Sequence, residues 1–338
     1  MKILFMTPNR EGMSYGLSWI TYLEKAIAKI AECKWAGAGH PDYKNESLDD
    51  TIKRLYGSDS PDWVLCHPLD SVAGNERWKT YVKPDRPYKV MARMSDMHSS
   101  WVLQGSVEEI VKYLNDANFD AIMLKYKRIG YAKMPYHDID PDYYLKNLKN
   151  PICFTPACID PTIYHPTNED ILYDVIFLGS YERFQYPIRG AILDDLPTLA
   201  KQNNWRFNMS SAPLLGNVQE LIRKGFFVGD AYVKVLGRSQ IFIFDNSIYK
   251  YPLLKMFEGM ACNTLVMCDM PYSAEELHFL PDHNFIAITL DNWKYKLSYY
   301  LSGYDNRYEV KKRGYETVLK YHTCDIRARE VIEWMRKH

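Results

Sequence analysis

"SQIFIFDNSIYKYPLLKMFEGMACNTLVMCD", residues 239 to 269, sets two short apolar runs on either side of an amphipathic segment. "SQIFIFDNS" and "TLVMCD" are bounded by turn residues and are the length of buried strands. Between them, "PLLKMFEGMAC" carries Leu253, Phe257, Met260 and Ala261 at i, i+4, i+7 and i+8, a helical face that packs on a sheet. Pro252 suits the first helical position, where a missing N–H costs nothing. Asn263 suits the left-handed residue that ends the helix. Strand, helix and strand in succession form a parallel crossover unit.

The same alternation runs outward in both directions. Upstream, "KILFMTP" (2–8), "DWVLCHP", "YKVMARMSD" and "FDAIMLKY" read as buried strands. "LSWITYLEKAIAKIA" (17–31), "DDTIKRLY" and "SVEEIVKYLND" read as the helices between them. "YDVIFLGS" (173–180), "PIRGAILDDLPTLAKQ", "WRFNMS" and "NFIAIT" extend a second series, which two helices close, "RYEVKKRGYETVLKYHT" and "DIRAREVIEWMRKH". Between 129 and 170 the chain is dense in proline, aspartate and tyrosine, the character of an interdomain connection. The expectation is an α/β protein with two successive parallel sheets. A chain of 338 residues exceeds one ordinary core and supports this division.

Composition narrows the function. Lys and Arg number 42 and so do Asp and Glu, and this balance disfavours a protein built to hold a phosphate backbone. No run of about 18 apolar residues predicts a membrane span. "MKILFMTPNREG" is too short in its apolar stretch for a signal peptide. The seven cysteines include no Cys-x-x-Cys pair and sit mostly in apolar runs, which argues for reduced thiols in a cytoplasm and against a metal site. The 27 tyrosines serve packing equally well as stacking on sugars or bases.

Lys255 and Glu258 share a helical face distinct from the packing face. A surface Lys–Glu pair contributes only tenths of a kcal/mol, but here position matters. Ligands bind beyond the carboxyl ends of strands in open α/β sheets, and "SQIFIFDNS" points its carboxyl end at the start of this helix. A helix N-terminus attracts phosphate. A carboxylate in its second turn suits two adjacent ribose hydroxyls, which donate. Gly179 and Ser180 follow the strand "YDVIFLGS" and permit close backbone approach, with Arg183 and Arg189 beyond them as cations for a diphosphate.

With these residues placed, the second half of the chain resembles the group 1 glycosyltransferases, most closely their spore maturation protein B-like branch. "CFTPACIDPTIYHPTNEDILYDVIFLGSY" (153–181) follows the branch's Pro-x-x-x-Asp turn, Phe/Tyr-x-Pro step and Asp-Val-x-Phe-x-Gly-Ser strand. "KMFEGMACNTLVMCD" (255–269) is similar to its Arg-x-Phe-Glu-x-x-Ala-Cys-Gly signature, and "YHTCDIRAREVI" (321–332) to its closing His-Thr-Tyr-x-x-Arg segment. The resemblance implies a GT-B architecture of two facing Rossmann-like domains. These would be an acceptor domain over 1–155, a nucleotide-sugar donor domain over 156–320, and a last helix, 321–338, crossing back. It implies that Glu258 holds the donor ribose and that Arg189 and Lys255 neighbour the diphosphate. The nucleotide-sugar is then a substrate, with no cofactor and no metal. Three positions depart from the pattern: Lys250 stands where many of these enzymes have a second glutamate, Asn263 where they have glycine, and Lys255 where they have arginine.

The N-terminal half follows the family only in outline. The loop "NREGMSYG", with Gly12 and Tyr15, sits where an acceptor loop is expected. Asp96 and His98 follow another strand and are the candidates to deprotonate the acceptor hydroxyl in an inverting enzyme; in a retaining one His98 would only orient the sugar. The acceptor is open among glycan, protein, lipid head group and, disfavoured by charge, DNA. Two other readings remain: a non-catalytic binding protein on the same fold, and a nicotinamide oxidoreductase. For the last, "AGAGHPDY" begins a dinucleotide fingerprint but lacks its third glycine.

Overall fold

Two parallel sheets, each wrapped by helices, make up the protein in a computed structural model that describes residues 1–15, 18–67, 82–94, 96–98, 106–129, 140–211, 215–303 and 306–338. The first lobe's strands are β1 (Lys2–Met6), β3 (Glu32–Ala36), β4 (Trp63–Cys66), β5 (Lys89–Met94), β6 (Ala121–Leu124) and β7 (Ile152–Phe154), with a short β2 (Met13–Tyr15) apart from them. They lie in the order β3-β1-β4-β5-β6-β7, every pair parallel. The second lobe's are β8 (Tyr173–Leu178), β9 (Phe207–Ser210), β11 (Ser239–Ile243), β12 (Leu265–Cys268) and β13 (Ile286–Ala287), in the order β13-β12-β11-β8-β9, again all parallel, with β10 (Leu215–Asn217) outside that sheet. Each sheet reverses its winding once, between β1 and β4 and between β8 and β11, and a crevice opens at such reversals for a ligand.

Central strands are buried on both faces, as "WVLC" and "AIML" are at every residue, because helices cover each side. Helix α1 (Ser18–Ile27) turns Trp19, Leu23 and Ile27 inward. The last helix, α11 (Cys324–Lys337), lays Val331, Ile332 and Met335 into the same cluster, so the chain's end packs on the first lobe. Trp63 and Trp334 meet at 6.1 Å and Lys29 pairs with Asp325 at 2.9 Å along this seam. Among the described residues no helix is long and apolar enough to cross a membrane.

In the described part of the proline-rich stretch, Ile152–Phe154 completes the first sheet as β7. Beyond it, Ile159 runs beside Thr323, its N–H donating to His322 O at 3.0 Å. His322 is buried and neutral; burial and the nearby Arg327 push it down to about 3. Its Nε2 donates to Leu277 O (2.8 Å) while Nδ1 accepts from Arg327 (2.9 Å). The His-Thr-x-x-x-Arg closing segment is therefore a structural joint, with Thr323 capping α11 through Ile326 N.

Among the described residues, a strand pair and a loop are two of the links between the lobes. β2 pairs antiparallel with β10, setting Tyr15 opposite Leu215. The loop after β11 sends Tyr249 and Tyr251 into the first lobe's core. Tyr251 stacks on Tyr126 (4.0 Å, 2° between planes) and Tyr249 on His98 (3.8 Å).

Candidate functional site

Helix α8 (Leu254–Ala261) begins two residues later than the proline suggested. Pro252 precedes the cap, because Leu253 is extended and the loop is held short of it: Asn246 Oδ1 accepts from Leu253 N (3.4 Å). Among the described residues no side chain caps this N-terminus, so its first backbone N–H groups stay available to a ligand. Asn263 is left-handed at φ 54°, as its place in the sequence required.

Glu258 is buried, and its two oxygens are held apart from each other's contacts. Oε1 accepts from Tyr164 and Oε2 from Tyr232, both at 2.9 Å. Burial pushes its carboxyl above the usual range, while the two tyrosines and nearby Lys255 and Lys125 favour the charge. Each carboxylate oxygen retains acceptor capacity beyond one tyrosine. Tyr232 comes from α7 (Asp230–Gly237). Tyr164 is delivered by the Pro-x-x-x-Asp turn, in which Asp160 Oδ1 accepts from Thr162 N (2.9 Å) and Oγ1 (2.7 Å) and Asp160 O from Tyr164 N (2.9 Å). Tyr164 also meets Tyr22 of α1 edge-on at 6.2 Å, so Glu258 lies near the seam between the lobes.

Lys255 stands half-buried beside it, its Nζ donating to Leu178 O. Burial, and then the charge of Arg189, push this lysine down to about 7. The ammonium occupies the space that Gly179 leaves open: a Cβ there would stand 2.5 Å from Nζ. Gly179→Ala is therefore expected to displace the ammonium with little loss of stability, since the far end of a flexible chain gives way. Nucleotide affinity should fall several-fold while the melting temperature holds, a contrast that calorimetry and thermal unfolding would resolve.

Arg189 is 2% exposed. Its Nη1 donates to Ser180 O (3.0 Å) and Oγ (2.6 Å), and its guanidinium lies 3.3 Å from the Tyr186 ring centre. Asp245, at the end of β11, accepts from Arg189 N (3.0 Å) and faces its Nε at 3.4 Å. Burial raises the Asp245 carboxyl to about 6 against the pull of Arg189. Arg189 thus braces the Gly179–Ser180 turn. Arg183 lies apart: it is exposed and donates to both carboxylate oxygens of Asp194 (2.8 and 2.7 Å) on the outer side of α5 (Pro187–Gln202). Lys250, where a second glutamate was sought, pairs with Asp269 (2.5 Å) at a left-handed φ of 52°.

From the first lobe, Asp96 is exposed and its charge reaches Lys125, Tyr186 and Tyr251. His98 is engaged in the aromatic stack, its Nδ1 3.2 Å from Tyr251 Oη, and burial lowers it below the usual histidine value. Gly12 is left-handed (φ 73°) with open space around it, and the backbone of Tyr15 lies on β2. Sequence reasoning passed over Tyr164, Tyr232, Asp245 and Lys125. The first stands in the quoted Tyr-x-Pro step and the last two directly follow buried strands, which is the available signal.

The two facing lobes define a GT-B glycosyltransferase fold. Sucrose-phosphate synthase from Thermosynechococcus elongatus superposes with a TM-score of 0.61 at 12% identity, covering 100% of this chain and 98% of that one. HepE from Anabaena, solved with UDP and glucose, gives 0.61 at 10% identity and 100% of both chains. An α-glucosyltransferase solved with UDP and a 13-mer DNA containing an A:G mismatch gives 0.57 at 10% identity and 99% of both. Residues 189–333, which include α8 and the closing segment, match the family model described as glycosyl transferase-like. A comparison with curated protein sequences finds no match.

Proposed function

We propose that this protein is a group 1 glycosyltransferase, of the spore maturation protein B-like branch, that moves a sugar from a nucleoside-diphosphate sugar to an acceptor hydroxyl. One observation carries the reading: a buried carboxylate, Glu258, held by two tyrosines one turn from an uncapped helix N-terminus and beside the half-buried Lys255. The carboxylate accepts from the ribose diol. The diphosphate lies over Gly179 and Ser180 at the start of α8. Breaking the anomeric C–O bond gathers negative charge on the departing diphosphate, and Lys255, the helix N-terminus and the nearby Arg189 offset it without a metal. Asp96 takes the acceptor's proton if the reaction inverts, and His98, held in its stack, fixes the loop that carries it. The domain assignment follows: donor chemistry from the second lobe, acceptor chemistry from the first, in a cytoplasmic enzyme.

The test is release of nucleoside diphosphate from a panel of UDP-, GDP-, ADP-, CDP- and dTDP-sugars, begun with UDP-glucose because a neighbour of this fold was solved with UDP and glucose. Binding without any release would favour the non-catalytic reading. The pH dependence is specific. Lys255 is an ammonium below its value of about 7 and loses its charge as pH rises through it. UDP affinity is expected to fall several-fold between pH 7 and 9 in the wild type and to change less in Lys255→Met, as isothermal titration across that range would show.

A further inference from the structure

Lys125 follows β6, in the first lobe, and the reading above gives it no role. It is 5% exposed, yet no hydrogen-bond acceptor for its Nζ is found among the described residues. Its ammonium lies 5.6 Å from the Trp19 ring and 4.8 Å from the Tyr126 ring. Such faces attract a cation but accept no hydrogen bond from it in the way an oxygen does. Trp19 Nε1, buried alongside, likewise has no acceptor among the described residues. The charges that face Lys125 are Asp96, from the loop after β5, and Glu258, from α8 of the other lobe. The lysine therefore stands between the two lobes with donors in excess of acceptors. An ammonium with most of its side chain buried keeps only part of its hydration, and an anionic ligand supplies the acceptors it lacks.

We infer that Lys125 is a first-lobe anchor for the donor's diphosphate, an ammonium that hydrogen-bonds a phosphate oxygen across the cleft from Lys255. The inference rests on the functional reading above and adds a contact from the opposite lobe. Nucleotide then bridges the two lobes, with Glu258, Lys255 and α8 on one side and Lys125 on the other. A phosphate also matches the electrostatics: burial depresses Lys125 to about 8, and a bound dianion would raise it. Binding at pH 8.5 should consequently take up protons from solution.

The experiment is isothermal titration of UDP, GDP, ADP, CDP and dTDP into the wild type, Lys125→Met and Lys125→Arg at pH 8.5, in two buffers of different ionisation enthalpy. For the nucleotide that binds best, Lys125→Met is expected to weaken affinity about ten- to a hundredfold, the worth of one charge-assisted hydrogen bond. It should also reduce the proton uptake, and Lys125→Arg should restore most of the affinity. Thermal unfolding of each variant shows that it is folded. If the wild type binds none of the five nucleotides, the functional reading falls and this inference with it. If the wild type binds and Lys125→Met matches it in both affinity and proton uptake, the lysine assignment alone is overturned.

Discussion

Glu258→Gln is expected to reduce nucleotide-sugar affinity by about a hundredfold, the loss of about 3 kcal/mol from two hydrogen bonds that a ribose diol donates to a charged acceptor. Glutamine is the informative replacement because of what holds the native side chain. Its amide oxygen still accepts from one of Tyr164 and Tyr232, and its NH2 donates to the other hydroxyl, so the pocket keeps its shape. Alanine would instead strand two tyrosine hydroxyls in or beside a cavity at a buried position, and should cost stability as well as binding. The paired measurement is titration of UDP together with thermal unfolding. A glutamine variant that binds UDP as tightly as the wild type would remove Glu258 from the donor site. Loss of binding in both variants, with a lower melting temperature only in the alanine one, is the expected pattern.

Arg189→Met should be the most damaging substitution to the fold, at about 3–5 kcal/mol, because it leaves Asp245 buried without its cation. That corresponds to a melting temperature lower by roughly 5 °C. The deficit should depend on pH in a direction fixed by Asp245. Its folded carboxyl is already raised to about 6, so the folded state binds a proton more readily than the unfolded chain, and stability from this group falls as pH rises through that window. Without the guanidinium the carboxyl rises further. Near pH 5 it is protonated and the variant suffers least; near pH 8 the stranded charge is fully expressed. Arg189→Met is therefore expected to lie further below the wild type at pH 8 than at pH 5. Adding Asp245→Asn should recover much of the loss at pH 8 by removing the charge. Equal deficits at both pH values would show that the pair is not what Arg189 holds together.

Several elements were readable because one local rule decided each of them. "PIRGAILDDLPTLAKQ" is a helix over the whole of that range, begun by its proline, and "YDVIFL" is a strand because an apolar run of that length is buried on both faces. Short pieces escaped. β2 and β10 are strands only because each lends the other its hydrogen bonds from a different lobe, and nothing within three residues encodes that. Pro252 misled for a similar reason: a proline can open a helix, but Asn246 and Asp269 fix the loop so that the first turn starts at Leu254.

The candidate site divides along the same line. Residue types and their order placed Glu258, Lys255, Gly179 and Ser180 at the carboxyl ends of β8 and β11, since spacing along a helix and position after a strand are local properties. Arg183 and Arg189 were equivalent on that basis, two cations following one strand. Only packing separates them, by pairing the first with Asp194 in solvent and burying the second against Asp245 and Tyr186.

By itself the sequence determined the alternation of strands and helices, the two sheets, and the small set of ionisable groups at their crevice ends, because hydrophobic period and chain order act over a few neighbours. The tertiary structure alone decided which of those groups are buried, and hence charged or neutral. It drew Tyr164 and Tyr232 onto Glu258 from distant segments, took His98 into a stack with Tyr249, and set Lys125 facing the opposite lobe. Desolvation and the field of distant charges depend on where the whole chain folds, and no local stretch carries that information.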